Sequence, residues 1–180
     1  GDKIAGMRVI PLVIEEEKME RAKEVAGMEP IFEIHPYKQK KVGIVTTGSE
    51  VYHGRIQDTF TPVIIEKVTE YGAKVLGHEI CDDDPQLIGG AIHKLLKEGC
   101  NMILCTGGMS VDPDDRTPLA IRNVTGNVVS YGASVLPGAM FLLAYYGGDL
   151  PVLGLPGCVM YAKRTVFDLV LPRIMTGEIL

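Results

Sequence analysis

The sequence lacks the marks of several large protein classes. It has no surplus of positive charge: 18 Lys and Arg against 23 Asp and Glu give a formal net charge of −5. That excludes a nucleic-acid partner gripped through a broad basic surface. It does not exclude a small anion held locally by backbone N–H groups. No apolar run reaches the roughly 18 residues that a membrane span needs, so no membrane partner is expected. The four cysteines, Cys81, Cys100, Cys105 and Cys158, form no CxxC pair and no Cys/His spacing suited to zinc. They read as reduced, mostly buried thiols of a cytoplasmic protein. No signal peptide is visible, although Gly1-Asp2-Lys3 is not a natural start and reads as the beginning of an excised piece or as a tag scar, so that flanking domains are expected outside it. Neither GxGxxG nor GxxxxGK[ST] occurs, which disfavours a nicotinamide-dinucleotide or standard nucleoside-triphosphate fold.

What remains is an ordinary globular composition, 46% apolar and 23% charged, in 180 residues, enough for one domain with a real core. Residues 1–40 read apart from the rest and suit the tail of a preceding domain. In that section residues 8–14, interrupted by Pro11, predict an edge strand. Residues 15–26 predict a helix with glutamates in its first turn, closed by Gly27. Residues 41–180 then alternate strand and helix. Strands are expected at 42–46, 73–80, 101–106 and 151–155, and helices at 59–71, 85–98, 117–123 and 137–146. A last helix is expected from Gly157 to just before Pro172. Asp84-Pro85 is an N-cap followed by proline at the first helical position. This order implies an α/β fold with a mostly parallel sheet and helices on both faces.

Three strands end in similar punctuation: Thr46-Thr47-Gly48-Ser49-Glu50, Thr106-Gly107-Gly108-Met109-Ser110, and Gly154-Leu155-Pro156-Gly157. In a parallel sheet all three turns fall on the carboxyl edge, where ligands bind at a reversal of strand order. Glycine admits close backbone approach, and hydroxyls and helix-start N–H groups add donors, so the three together form a phosphate cradle. Any one of them alone reads first as a plain strand ending, and it is the convergence of three that points to a ligand. Asp58 and Asp115 follow the first and second turns and precede helices. They read as N-caps or, as a pair, as carboxylates holding Mg²⁺ against a phosphate. The run Asp82-Asp83-Asp84 reads as a solvated loop with a cap, and His53 as a solvent-facing loop residue.

With these blocks in this order, the sequence resembles the molybdenum-cofactor biosynthesis domain family over residues 41–176. The carrying residues are Thr47-Gly48-Ser49-Glu50, Gly54 with Ile56 and Asp58, Thr106-Gly107-Gly108, Asp115-Arg116-Thr117-Pro118, Pro137-Gly138 and Leu155-Pro156-Gly157. The family includes molybdopterin adenylyltransferases of the MogA and MoaB type and domain three of molybdopterin molybdenumtransferases of the MoeA type. The resemblance implies a three-layer α/β/α sandwich around a mixed sheet, with the glycine turns, Pro137-Gly138 and both aspartates lining a molybdopterin pocket. In the adenylyltransferase class it implies Mg²⁺-assisted attack of the pterin phosphate on ATP. In the molybdenumtransferase class, towards which the first turn leans, it implies molybdate insertion into adenylylated pterin with release of AMP. It also implies a homo-oligomer, trimer or dimer. Two departures stand out. Ala139-Met140 follow Pro137-Gly138, and Cys158-Val159 follow Gly157, where the family has polar groups that touch the ligand. They keep open a non-catalytic pterin-binding or sensing module; a related CinA-like domain acting on a nucleotide is a separate alternative.

Overall fold

The structure, a computed structural model, describes residues 3–6, 8 and 10–180; Gly1, Asp2, Met7 and Val9 lie outside the described set. The chain divides at His35/Pro36 into two units. In the first, α1 (Glu16–Ala26) forms as its sequence predicts, with Glu16 and Glu17 in the first turn and Gly27 at φ 69° after the last. It buries none of its residues. The expected edge strand over 8–14 is not there: Arg8 and residues 10–14 are irregular, and Val9 is undescribed.

The second unit runs β1 (Lys41–Thr47), α2 (Ser49–Tyr52), α3 (Phe60–Thr69), β2 (Lys74–Cys81), α4 (Pro85–Lys97), β3 (Met102–Thr106), α5 (Thr117–Thr125), β4 (Val128–Tyr131), β5 (Leu142–Tyr146), β6 (Leu150–Leu155), α6 (Cys158–Tyr161) and α7 (Val166–Thr176). The six strands form one sheet in the order β2-β1-β3-β6-β5-β4. The four strands β2, β1, β3 and β6 pair in parallel, and β5 and β4 are antiparallel. The chain steps one way from β1 to β2 and then back across β1 to β3. The order therefore reverses between β1 and β3, and that crevice opens at their carboxyl ends.

Alternation along the strands builds two cores on opposite faces. Val42, Ile44, Met102, Leu104 and Leu153 meet Ile64 and Val68 of α3 and Phe167 and Leu171 of α7. Val45, Ile103, Cys105 and Val152 meet Ile88, Ile92 and Leu95 of α4 and Ile121 of α5. The result is a three-layer α/β/α sandwich. Asp84 accepts from Gln86 N at 2.8 Å and Leu87 N at 3.1 Å, the cap its sequence predicts. The four thiols are free. Burial pushes Cys81 up to about 11 and raises Cys105 as well, which keeps both protonated and inert.

Two helical expectations are corrected. Residues 137–146 are not a helix: 142–146 form β5, a buried strand between β4 and β6. The final helix is two. Cys158–Tyr161 makes one turn, Ala162 is extended, and α7 restarts at a capping box in which Thr165 and Asp168 bond each other's backbone. Pro172 lies inside α7 rather than beyond it. The buried side chains of Leu171, Ile174 and Met175 outweigh the ~3 kcal/mol that an interior proline costs.

Candidate functional site

Register brings the three glycine turns side by side. Thr46 is opposite Thr106, and Thr106 is opposite Leu155, so the residues that follow them leave the sheet along one edge. Leu142 is opposite Gly154, which sets the 132–141 loop, with Pro137-Gly138, at the same edge. Gly107 has φ 82°, and a Cβ on it would stand 2.1 Å from the Thr47 carbonyl oxygen. Only glycine lets the β3 turn press this closely on β1. Below the turns, the Thr47 and Thr117 hydroxyls meet at 3.1 Å and tie β1 to the start of α5.

The expected site residues divide by exposure. Gly48, Ser49, Glu50, Gly107, Gly108, Ser110, Pro137 and Gly157 are exposed or half-buried at the edge. Thr47, Thr106, Gly138, Leu155 and Pro156 are buried and support it. Met109 is a core residue, folded under Gly154, where a Cβ would meet its methyl carbon at 2.5 Å. Gly138 packs on Val166, whose N–H donates to the Pro137 carbonyl at 3.1 Å. Cys158 is half-buried on the first turn of α6.

The two aspartates take different roles and approach the sheet edge from opposite faces, Asp58 with α3 and Asp115 with α5. Asp58 caps α3: Oδ1 accepts from Phe60 N at 2.9 Å and Thr61 N at 3.0 Å. Its Oδ2 accepts from the Thr61 hydroxyl at 2.5 Å and the Thr46 hydroxyl at 3.2 Å, with His78 Nε2 at 3.4 Å. Asp115 does not cap α5; its Oδ2 accepts from Ser110 N at 2.5 Å and Ser110 Oγ at 2.8 Å, closing the second turn. Both Asp58 oxygens thus accept from protein donors, and Asp115 Oδ2 accepts from Ser110. No cluster of three or more His, Cys, Asp or Glu able to hold a metal gathers among the described residues. The acidic run is a set of anchors. Asp83 accepts from Ser49 N at 3.0 Å, Asp82 stands 3.6 Å from His53, and Asp84 caps α4.

Burial opposes ionisation of Asp58. The Thr61 hydroxyl and N–H and the Phe60 N–H, with His78 alongside, nevertheless hold its carboxyl below the usual carboxylate range. A depressed folded-state value contributes stability that is present above the unfolded value, near 4, and is lost as pH falls through the folded one. Denaturant unfolding repeated down the acid range should therefore show a steeper loss below about pH 4 for the natural chain than for Asp58→Asn. Parallel acid limbs would remove this role.

Thr61 and His78 are members of the site that the motifs did not single out. Their signal is a polar residue in an otherwise apolar strand or first helical turn, which must find a partner when buried. Lys163 and Arg164 are not at the glycine turns. They line a separate groove of about 500 Å³ between α3 and the α6–α7 connection, with Lys67, Tyr71 and Tyr161.

The family model described as the probable molybdopterin binding domain matches residues 43–176, a span that takes in every one of these turns. The CinA-like protein of Mycobacterium avium (strain 104) is 33% identical over 95 residues, 53% of this chain and 22% of that protein. The chain spans about a fifth of the length of the curated relatives it matches. The molybdopterin biosynthesis enzyme MoaB of Thermus thermophilus superposes with a TM-score of 0.65 at 28% identity, covering 78% of this chain and 98% of that one. The tungsten cofactor synthesizing protein MoaB of Pyrococcus furiosus shares the fold, with a TM-score of 0.64 at 21% identity over 76% of this chain and 93% of that one. No helix among the described residues is long and apolar enough to cross a membrane. The chain belongs to the molybdopterin-binding domain family of molybdenum-cofactor biosynthesis.

Proposed function

We propose that this domain captures a phosphorylated pterin of the molybdopterin type at the edge built from Gly48-Ser49-Glu50, Gly107-Gly108, Ser110 and Gly157. We propose also that it does so as one module of a longer molybdenum-cofactor protein. The observation that carries the reading is the register Thr46–Thr106–Leu155, which stacks three glycine turns where the strand order reverses. Such an edge holds a phosphate by backbone and hydroxyl donors and needs no lysine, in keeping with a net negative chain. The chain's own part in chemistry is positioning. Asp115 fixes the second turn through Ser110, and Asp58 fixes the start of α3 behind the first. The transfer reaction we assign to the module is of the molybdenumtransferase type, with adenylylated molybdopterin bound, molybdate accepted and AMP released. That assignment rests on the first turn's likeness to that class.

A nucleotide-acting, CinA-like module is the second reading, favoured by the 33% identity to the Mycobacterium avium protein. Calorimetric titration of the chain with molybdopterin, adenylylated molybdopterin, ATP and a nicotinamide nucleotide separates the two. Saturable heat with the pterins alone is the expected result, and binding of the nucleotides alone overturns it in favour of the second reading. AMP released from adenylylated molybdopterin in the presence of molybdate supports the transferase step; tight pterin binding without release leaves a binding module.

A further inference from the structure

We infer that His78, on the edge strand β2, is a positioning residue that fixes the pterin cradle from behind through a chain of hydroxyls. The inference rests on the reading of the glycine-turn edge as a ligand site. His78 Nε2 stands 2.9 Å from Thr46 Oγ1, 3.1 Å from Thr61 Oγ1 and 3.4 Å from Asp58 Oδ2. The three partners come from three different segments: the end of β1, the first turn of α3, and the loop that joins them.

Hydrogen accounting assigns the donor. Asp58, ionised, only accepts. Thr61 directs its hydroxyl hydrogen to Asp58 Oδ2 at 2.5 Å, which leaves its oxygen an acceptor towards His78. Thr46 donates to the same carboxylate oxygen at 3.2 Å and receives the Thr106 hydroxyl at 3.5 Å. Thr46 Oγ1 also lies 3.1 Å from Thr61 Oγ1, but Asp58 Oδ2, 3.4 Å from Nε2, can only accept, so the geometry points to the hydrogen on Nε2. The resulting chain runs from Thr106, the last residue of β3 before Gly107-Gly108, through Thr46 to Asp58. His78 supplies a donor at its centre.

The consequence is mechanical. Thr46 immediately precedes Thr47-Gly48-Ser49-Glu50, Thr106 immediately precedes Gly107-Gly108, and Asp58 ends the loop between β1 and α3. Thr46, Thr61 and Thr106 are all buried, so water cannot readily replace a lost donor among them. Without His78, the Thr46, Thr61 and Asp58 oxygens lose the donor they share, and the first turn loses its fixed relation to the second. His78 itself keeps part of its ring in solvent, with a side-chain exposure of 29%, so its removal does not empty a core position.

The test has three parts on the whole chain. First, long-range proton–nitrogen NMR of the unliganded protein should show His78 carrying hydrogen on Nε2; a neutral ring with hydrogen on Nδ1 overturns the inference. Second, His78→Leu should speed amide exchange in residues 48–60 at least tenfold while the β3 and α4 amides keep their protection. His78→Gln, whose amide restores a donor, should return exchange towards the natural rate. Unchanged exchange in His78→Leu, or no recovery in His78→Gln, overturns it. Third, pterin affinity should fall about tenfold in His78→Leu and recover in His78→Gln. If the natural chain binds no pterin, the ligand reading fails by itself, and the first two parts still decide whether His78 positions these turns.

Discussion

Gly107→Ala is expected to destabilise the domain by about 3 kcal/mol, lowering the unfolding midpoint by roughly 10 °C, and to weaken pterin capture at least tenfold. Two costs add. At φ 82° an L-residue sits in the left-handed region, at about 1–2 kcal/mol. The new methyl would also lie 2.1 Å from the Thr47 carbonyl oxygen and 2.8 Å from the Thr47 hydroxyl. Backbone cannot swing aside as a side-chain tip can, so β1 and β3 must part at the turn. Gly126→Ala is the matched control. It has a similar φ of 73° and nothing within 4 Å of its Cβ, so only the conformational cost of about 1 kcal/mol applies. Thermal unfolding of both variants, with calorimetry on the folded protein, measures the difference. Equal losses would mean that the two turns are not pressed together, and the cradle would lose its geometric basis.

Asp168→Ala should cost about 3 kcal/mol, and Lys67→Met markedly less, about 1–2 kcal/mol. Asp168 carries two loads. Its Oδ2 accepts from Thr165 N at 2.7 Å and Thr165 Oγ1 at 2.9 Å, and its Oδ1 takes the Lys67 ammonium at 2.5 Å. Both charged side chains are largely buried, at 14% and 13% exposure. Removing the carboxylate takes away the half of the α7 capping box that holds Thr165 N and leaves the Lys67 ammonium, among the described residues, with the Lys163 carbonyl at 3.3 Å as its remaining hydrogen-bond partner. Removing the lysine leaves the carboxylate with its two Thr165 donors. Denaturant titration of the two variants checks the asymmetry. Equal losses would show the ion pair alone to be at work and the cap to be idle.

The parts legible in the sequence are those with local causes. The alternation of apolar strands and capped helices, the Asp84-Pro85 helix start and the three glycine turns all state their conformation within a few residues. Their convergence follows from parallel pairing. The parts that were not legible have causes elsewhere in the chain. Leu142-Leu143-Ala144-Tyr145-Tyr146 is as apolar as a buried helix segment, and only its place between β4 and β6 makes it a strand. Pro172 is a helix breaker locally, and burial of its neighbours on α7 overrides it. The capping box at Thr165 and Asp168 was present in the sequence, but it was hidden by the apparent continuity from Gly157 onward.

The aspartates make the same point about the site. Sequence position gives Asp58 and Asp115 the same two readings, cap or ligand holder. Asp58 is a cap, and Asp115 closes its loop through Ser110. The difference is set by which donors fold back upon each carboxylate. Thr46 and His78, the groups that complete the Asp58 environment, lie on separate strands with no motif to join them.

The measurement that bears most directly on pterin capture at the carboxyl edge is amide chemical-shift mapping during titration with molybdopterin. Saturable shifts confined to residues 47–50, 107–110 and 156–158 are the predicted result. Shifts centred instead on Lys67, Lys163 and Arg164 in the α3–α6 groove, or no saturable shift at all, would contradict it.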